Sequence, residues 1–403
     1  METNRLLDEV QATHPWLRFE FPWQQLRPEQ WVHLGGINAA LRFLVGMPLQ
    51  PRVAEELRRV YLAKGALATT AIEGNTLTED EARAVIEGQL KLPPSKEYLR
   101  QEVLNIVTAC NEIGRQIGQT GSATSLTPAL IAHFNGLVLA GDVPHDPEAV
   151  PGEFRDYNVG VGNVYRAVDA RYVRDLVSHL CTWLNGEDFI AASPEFEPIW
   201  AVIKAVLAHL YLAWIHPFGD GNGRTARLVE FYLLQAGGAP TPAAHLLSNH
   251  YNQTRSRYYE ELDRASKSGG DLIPFLGYAI RGLVDELGQL MQTVQAQQVA
   301  LAWQQYVHTK LGGARSPTAQ RREALVLALP PGGKTVNRSE IPLLTPAVAA
   351  EYGPKGKSAK TVSRDLNALL ELELIAFEGK KQVRARQEVM TGFLVTPLVR
   401  ASV

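Results

Sequence analysis

The sequence predicts a mainly α protein built from two or three domains. Its 403 residues are too many for one hydrophobic core, and 45% of them are hydrophobic, which is ample for packed domains. Up to about residue 310 the apolar residues recur at helical spacing, with one interruption rich in Gly and aromatic residues. Beyond that point three short helical patterns precede an alternating tail, so we expect a second kind of domain there.

Composition indicates the cellular compartment and whether the chain crosses a membrane. Cys110 and Cys181 are too few for a disulfide framework or an unaided zinc site, which is typical of a reducing compartment. The amino-terminal residues lack the apolar core of a signal peptide. The most apolar stretch, residues 201–215, is short for a membrane span and contains a Lys and a His, which indicates a buried helix. We therefore expect a cytoplasmic protein with no membrane partner.

Helical patterns lie on both sides of the single interruption. Thr78 and Glu81 form a capping box, which is a helix start signal. The interruption, PGEFRDYNVGVGNV at 151–164, predicts a short β-hairpin because Gly, aromatic and β-branched residues dominate it. Besides the helix that begins at Thr78, the predicted helices cover residues 53–62, 97–117, 127–139, 170–184, 197–215, 224–234, 253–265 and 272–299.

The carboxyl-terminal quarter differs in charge as well as in pattern. Residues 315–403 contain 14 Lys+Arg and 8 Asp+Glu, whereas the rest of the chain is acidic. A Gly-rich linker at 311–317 precedes this quarter. Three helices followed by a hairpin is the order of a winged helix-turn-helix domain. The patterns cover residues 318–329, 342–352, 358–375 and 376–391.

Basic residues mark the predicted recognition helix, 358–370, and the wing that follows it. Such a distribution is typical of a surface that contacts phosphates. Three carboxylates share the region, and winged helices also dock proteins. The sequence therefore leaves open both DNA binding and protein docking through residues 315–403. The basic residues are Lys357, Lys360, Arg364, Lys380, Lys381, Arg384 and Arg386; the acidic ones are Asp365, Glu371 and Glu373.

One segment, HPFGDGNGRTAR at 216–227, has a composition that packing does not explain. Gly221 and Gly223 let the backbone curl and expose its N–H groups just where a helix begins, which favours an anion. Arg224 and Arg227 share one face of the first helical turn and can hold further phosphate oxygens. The segment therefore predicts a phosphate site.

Two more side chains in this segment suit phosphate chemistry. Asp220 offers a hard oxygen ligand of the kind that Mg²⁺ on a polyphosphate uses. His216 precedes the loop by a few residues, close enough to act as a general base toward an attacking nucleophile. Together they predict a catalytic site.

This segment resembles the signature of the Fic family, His-x-Phe-x-Asp/Glu-Gly-Asn-Gly-Arg-x-x-Arg, at every signature position. The similarity extends over most of residues 20–300. It implies a Fic-type helical core in which the hairpin is the flap that aligns a target segment by strand addition. The chain then divides into an amino-terminal helical region (1–120), a catalytic core (121–310) and a winged helix domain (311–403).

The resemblance also implies an activity. Fic proteins mostly transfer AMP from ATP to a hydroxyl side chain of a target protein, so the family suggests a protein adenylyltransferase that uses Mg²⁺ or Mn²⁺ and also modifies itself. It implies that His216 is the base and that Asp220 binds the metal. Related Doc kinases carry Lys where this chain has Gly223, which favours nucleotidyl transfer over phosphorylation. The implied phosphate ligands are Gly221, Asn222, Gly223, Arg224 and Arg227, with Phe218 anchoring the loop.

Upstream, TTAIEGN at 69–75 resembles the Fic inhibitory motif, Ser/Thr-x-x-x-Glu-Gly/Asn, with Thr69 and Glu73 at its ends. The resemblance implies that Glu73 pairs with Arg227 and keeps ATP in an unproductive position. In some family members the same glutamate helps to remove AMP from the target. De-AMPylation and the use of another nucleotide therefore stay open.

Tyr258 and Tyr259, followed by Leu262, resemble the family's aromatic element that covers the adenine, although two helical aromatics are as often core residues. A DNA-binding transcription regulator, or a toxin–antitoxin-type regulator built on a Fic core, is the rival function. A homodimer also stays open.

Overall fold

The computed structural model describes residues 2–120, 125–161, 165–352 and 359–390. The chain divides into two compact units, Met1–Met291 (unit 1) and Gln292–Val403 (unit 2). The prediction of a mainly α protein is confirmed, since helices dominate the described residues and the strands are few and short. The domain bounds 1–120, 121–310 and 311–403 stay predictions.

The described residues of unit 1 form helices and one short antiparallel hairpin, joined by loops. In that hairpin Gly160 pairs with Arg166 and Val161 pairs with Tyr165. Its elements, with the last helix running past residue 291, are α1 (Glu2–Gln11), α2 (Pro28–Gly46), α3 (Pro51–Ala71), α4 (Glu79–Ile86), α5 (Glu97–Thr120), α6 (Pro128–Val138), β1 (Gly160–Val161), β2 (Tyr165–Arg166), α7 (Val173–Leu184), α8 (Glu197–Ile215), α9 (Asn222–Ala236), α10 (Thr241–Ala244), α11 (Leu246–Gln253), α12 (Arg255–Lys267) and α13 (Ile273–Lys310).

Helices α8 and α9 form the centre of unit 1. Almost every side chain of α9, and of α8 from Ala201 onward, is buried, as expected for helices that neighbours surround. The segment Pro194–Ile215 has the length and composition of a membrane span, yet 72% of its most apolar window is buried within the protein. This agrees with the predicted core helix at 201–215. The turn that joins the two central helices is therefore held between two fixed elements.

The hairpin prediction was wrong in its bounds. Residues 151–159 form turns, and the strands lie at 160–161 and 165–166, while residues 162–164 are outside the described part of the chain. The physical reason is Arg155, whose buried guanidinium draws its own neighbours into turns against the end of α8. A local pattern of residue types does not reveal a hydrogen bond such as that of Arg155 to the His216 carbonyl, which joins distant parts of the chain.

Unit 2 contains three further helices and a three-stranded antiparallel sheet in the order β3-β5-β4. Helix, helix, helix and hairpin follow one another in the predicted order, and residues 353–358, before the third helix, lie outside the described residues. The elements are α14 (Pro317–Ala328), β3 (Val336–Asn337), α15 (Pro346–Tyr352), α16 (Ala359–Glu371), β4 (Ile375–Glu378) and β5 (Gln382–Ala385).

A buried carboxylate fastens α16 to the rest of unit 2. Asp365 is fully buried, and its two oxygens accept hydrogen bonds from Nε of Arg321, Nε of Arg322 and the hydroxyl of Tyr352, each at 2.9 Å. Burial raises the pKa of Asp365, but the three donors outweigh burial and hold that pKa below its usual value. The outer face of α16 is thereby fixed in orientation.

Candidate active site

The turn between α8 and α9 is bounded by two residues in the left-handed backbone region. His216 ends α8 with φ 51° and ψ 62°, and Gly221 precedes α9 with φ 75°. A side chain rarely adopts this conformation without help from its surroundings, so His216 must be held there. The first N–H groups of α9 have no partner inside the helix and are available to an anion.

Asn222 closes the turn from inside. Its Oδ1 accepts from the N–H of Phe218 at 2.9 Å, and its Nδ2 donates to the Phe218 carbonyl at 2.7 Å. Phe218 is itself buried, which supports its predicted anchoring role. Because both polar atoms of the Asn222 side chain are engaged, its backbone N–H is the group left for a phosphate.

His216 is half-buried beside this turn. Burial lowers the pKa of the imidazole to about 4, and the nearby Arg155 lowers it too, against an opposing hydrogen bond to the Ala213 backbone. Near neutral pH the ring is therefore uncharged. A neutral imidazole can accept a proton, as a general base must.

Arg155 holds His216 in place, and sequence reasoning missed it. The side chain is 4% exposed, and it donates to the carbonyls of His216 (2.7 Å), Tyr157 (2.8 Å) and Val168 (2.7 Å). The guanidinium fork thus ties the end of α8 to the segment before the hairpin. The only available signal was a lone arginine within a Gly- and aromatic-rich stretch.

Asn135 on α6 is a second positioning residue that the sequence did not reveal. It is fully buried, and its Nδ2 donates to the Asp220 carbonyl at 3.0 Å and to the Thr225 hydroxyl at 3.1 Å. Its Oδ1 accepts from the N–H of Gly152 at 3.0 Å. One amide therefore joins three segments around the turn.

The two predicted motifs meet at Arg227. Its Nη2 donates to Oε1 of Glu73 at 2.6 Å and to the carbonyl of Thr69 at 2.8 Å. The guanidinium is fully buried, whereas 34% of the Glu73 side chain remains exposed. Burial raises the pKa of Glu73, but the charge and hydrogen bond of Arg227 outweigh it and lower that pKa. A Cβ at Gly223 would overlap Oε1 of Glu73.

Arg224 faces a different set of partners from Arg227. Its Nη1 lies 3.2 Å from Oε1 of Glu102, and its Nη2 lies 3.3 Å from Oδ1 of Asp220. Asn75, at the end of the 69–75 segment, donates to Glu102 at 2.8 Å. The structure thus brings Arg224 to the metal-ligand candidate Asp220 and to Glu102.

Asp220 is the residue that suits a divalent cation. Its Oδ2 accepts from the N–H of His145 at 2.7 Å, and the side chain is 14% exposed. Across the described ranges no three His, Cys, Asp or Glu side chains gather closely enough to hold a metal ion. Mg²⁺ commonly takes one carboxylate together with substrate phosphates and water, so Asp220 fits an ion that arrives on a polyphosphate.

Volume alone does not identify the active-site cavity, because several cavities of unit 1 measure between ≈ 260 and 530 Å³. The one of ≈ 400 Å³ is distinguished by its lining, which includes Glu73, His216 and Gly223. It has room for a nucleotide-sized ligand. Tyr258, Tyr259 and Leu262 lie on its wall, as the sequence suggested.

The two tyrosines have different environments. Tyr258 is 3% exposed, stacks on Tyr251 with ring centres 4.9 Å apart, and is hydrogen-bonded to Nε2 of His209 at 2.9 Å. Tyr259 is 45% exposed, and its hydroxyl donates to the carbonyl of Ile72 at 3.2 Å. Tyr258 is therefore mainly a core residue, and Tyr259 is the ring with a face available for stacking.

Unit 1 thus combines a helical core, a turn whose N–H groups are available to an anion, and a cavity with room for a nucleotide. Residues 125–234 match the model of the Fic/DOC family. This part of the chain is therefore a Fic domain, as the motif at 216–227 predicted.

Two curated relatives support the assignment. Protein adenylyltransferase fic-1 of Caenorhabditis elegans is 31% identical over 214 residues, which is 53% of this chain and 38% of the relative. Protein adenylyltransferase Fic of Nematostella vectensis is 30% identical over 213 residues, which is 53% of this chain and 45% of the relative. The chain thus spans less than half the length of these relatives.

Solved structures show the same fold. A Fic family protein from Desulfovibrio desulfuricans superposes with a TM-score of 0.55 at 22% identity, covering 90% of this chain and 97% of that one. Fic-1 from C. elegans gives a TM-score of 0.53 at 23% identity, covering 66% of this chain and 73% of the other.

Proposed function

We propose that this protein is an adenylyltransferase that moves AMP from ATP to a Thr, Ser or Tyr hydroxyl of a target protein in the cytoplasm, and to a hydroxyl of its own. The names of the relatives at about 30% identity support this reaction. The observation that carries it is a shared cavity, in which a neutral His216 and the start of α9 face the same space beside Tyr259.

In the proposed reaction the target hydroxyl gives its proton to His216 as its oxygen attacks the α-phosphorus. A new oxygen–phosphorus bond forms, the bond between the α-phosphorus and the bridging oxygen breaks, and pyrophosphate leaves. The N–H groups at the start of α9, which have no partner inside the helix, stabilise the charge on the α-phosphate oxygens. Asp220 would hold Mg²⁺, which when bound neutralises phosphate charge.

We also propose that Glu73 inhibits this reaction. Its contact with Arg227 occupies the guanidinium that would otherwise bind the γ-phosphate. Glu73 follows the end of α3 and remains one-third exposed, so it can leave without unpacking the core. The inhibited and active forms then differ mainly in the partner of Arg227.

Incubation with ATP labelled on the α-phosphate tests the proposal. Glu73→Gly should increase the label on protein, and adding His216→Ala should reduce it about 10²- to 10⁴-fold because the general base is lost. Glu87→Gly, which removes an exposed glutamate outside the site, is the matched control and should leave labelling at the parent level.

Parallel incubations with labelled UTP, labelled GTP and γ-labelled ATP identify the transferred group. Protein labelled only from the γ-phosphate would show phosphorylation and contradict the proposal. Equal labelling with and without His216 would contradict the role of the imidazole.

A further inference from the structure

The outer face of α16 is mostly polar, and its first half carries two basic side chains. Lys360, Ser363, Arg364 and Asn367 are exposed at positions i, i+3, i+4 and i+7, so they form one stripe. The opposite face, which includes Leu366, is buried in the core of unit 2. The stripe ends in an exposed carboxylate at the carboxyl terminus of the helix. It is therefore a solvent-facing helix surface of about 20 Å.

Arg338 joins this stripe to the tip of the β4–β5 hairpin. Its backbone N–H donates to the carbonyl of Lys381 at 2.8 Å, and its Nη2 donates to the Ser363 hydroxyl at 3.4 Å. Its guanidinium also lies over the Phe377 ring, 5.2 Å from the centre. The helix stripe and the hairpin tip are thus neighbours. We call this surface, made of Arg338, Lys360, Ser363, Arg364, Asn367, Lys380 and Lys381, the basic face.

The positive charge of the basic face is not neutralised by neighbouring carboxylates. Within the described part of unit 2, Lys360, Arg364, Lys380 and Lys381 take part in no ion pair. Four carboxylates of this unit are instead paired with arginines outside the basic face. Those pairs are Asp365 with Arg321 and Arg322, Glu378 and Glu388 with Arg384, and Glu373 with Arg386.

We propose that unit 2 binds double-stranded DNA through the basic face, with α16 in the major groove. An α-helix fits that groove, and Arg and Asn are the side chains that read guanine and adenine edges there. Arg364 and Asn367 occupy the middle of the stripe, where base edges lie. Lys380 and Lys381 at the hairpin tip contact the phosphates on either side.

The hydrogen bonds of Asp365 hold α16 in a fixed orientation, which DNA reading by this helix requires. Asp365 lies between the stripe residue Arg364 and the core, and its three hydrogen bonds fix the rotation of α16 about its axis. A helix whose rotation is fixed presents the same side chains to every duplex, which specific reading requires.

The test uses the full chain without ATP, so its outcome is independent of the proposed reaction. A fluorescent duplex of about 30 base pairs and mixed sequence is titrated at about 50 to 200 mM salt. The K380A/K381A variant should weaken binding to all sequences and reduce the slope of log K against log salt by about 2, because each phosphate contact contributes about 0.9.

Base reading is tested by selection from a random-sequence pool of duplexes. R364A and N367A should each lose about 5- to 150-fold of the preference at one base position while folding normally by circular dichroism. Lys91→Ala removes an exposed lysine of unit 1 and should change neither binding nor slope. Absence of duplex binding at the lowest salt, or an equal loss with Lys91→Ala, would overturn the proposal.

Discussion

Each unit of the molecule contains a buried arginine–carboxylate cluster, and the two clusters differ in which member is enclosed. In unit 1 Arg227 is fully buried and Glu73 is 34% exposed, with one hydrogen bond between them at 2.6 Å. In unit 2 Asp365 is fully buried and receives two arginines and a tyrosine. The exposed Glu73 can exchange its contact with Arg227 for another partner. The enclosed Asp365 cannot exchange its contacts with Arg321 and Arg322.

The exchange depends on what would replace the carboxylate. If Glu73 leaves Arg227, water solvates Glu73 and a phosphate of a ligand in the adjacent cavity can pair with the guanidinium. If Asp365 is removed, Arg321 and Arg322 lose the carboxylate that they share, and breaking a buried pair from one side is strongly destabilising. The same chemical pair would therefore serve regulation in unit 1, under the proposed inhibition by Glu73, and folding in unit 2.

The largest effect is expected for Asp365→Ala. The free energy of unfolding of unit 2 should fall by about 3–5 kcal/mol, because two guanidinium groups lose their partner. Hydrogen exchange of unit 2 amides measures it. Glu371→Ala, an exposed glutamate of the same helix, is the control and should change that free energy by less than about 0.5 kcal/mol. Similar effects of both changes would show that Asp365 contributes no more to stability than an exposed glutamate of the same helix.

A smaller and opposite effect is expected for Glu73→Gln. Affinity for Mg·ATP should rise by about 5- to 150-fold, which corresponds to a coupling of about 1–3 kcal/mol between the carboxylate and the phosphate. Calorimetry in a His216→Ala background, which prevents turnover, measures it. Glu87→Gln changes an exposed pair with Arg83 and should leave affinity unchanged. Weaker ATP binding by Glu73→Gln would show that the contact supports the site instead of blocking it.

The smallest effect concerns the pKa of His216. Burial lowers it to about 4 and the charge of Glu73 raises it, so the imidazole should stay neutral as the pH falls from 8 to 5. Glu73→Gln should move the midpoint further down. NMR titration of isotope-labelled histidine in both proteins follows this directly. A midpoint near the ordinary value of about 6.5, or an upward movement, would contradict the burial of the base.

Functional residues that are close together in the sequence could be predicted, whereas hydrogen bonds between segments distant in the chain could not. The 216–227 and 69–75 segments show their residue types in a row, so the Fic domain and the contact of Glu73 with Arg227 could be predicted from them. Arg155 and Asn135 act on backbone groups of segments distant in the chain, and no local pattern marks them. The misplaced hairpin has the same cause.

Tyr258 and Tyr259 show a second limit. Neighbours on a helix point about 100° apart, so both rings could not have the same environment. Which one turns toward the core depends on Tyr251 and His209, which belong to other helices. The direction of Arg224 toward Glu102 likewise depends on α5.

The overlap of a Cβ at Gly223 with the Glu73 carboxylate has a consequence for the start of α9. A negatively charged oxygen lies against this helix end in the structure, and a phosphate oxygen would lie there in the proposed complex with ATP. The positive end of the helix dipole is then compensated in both states. When phosphate replaces the Glu73 carboxylate, one anion takes the place of another. The end of α9 is then never left without a negative partner, which keeps the turn folded.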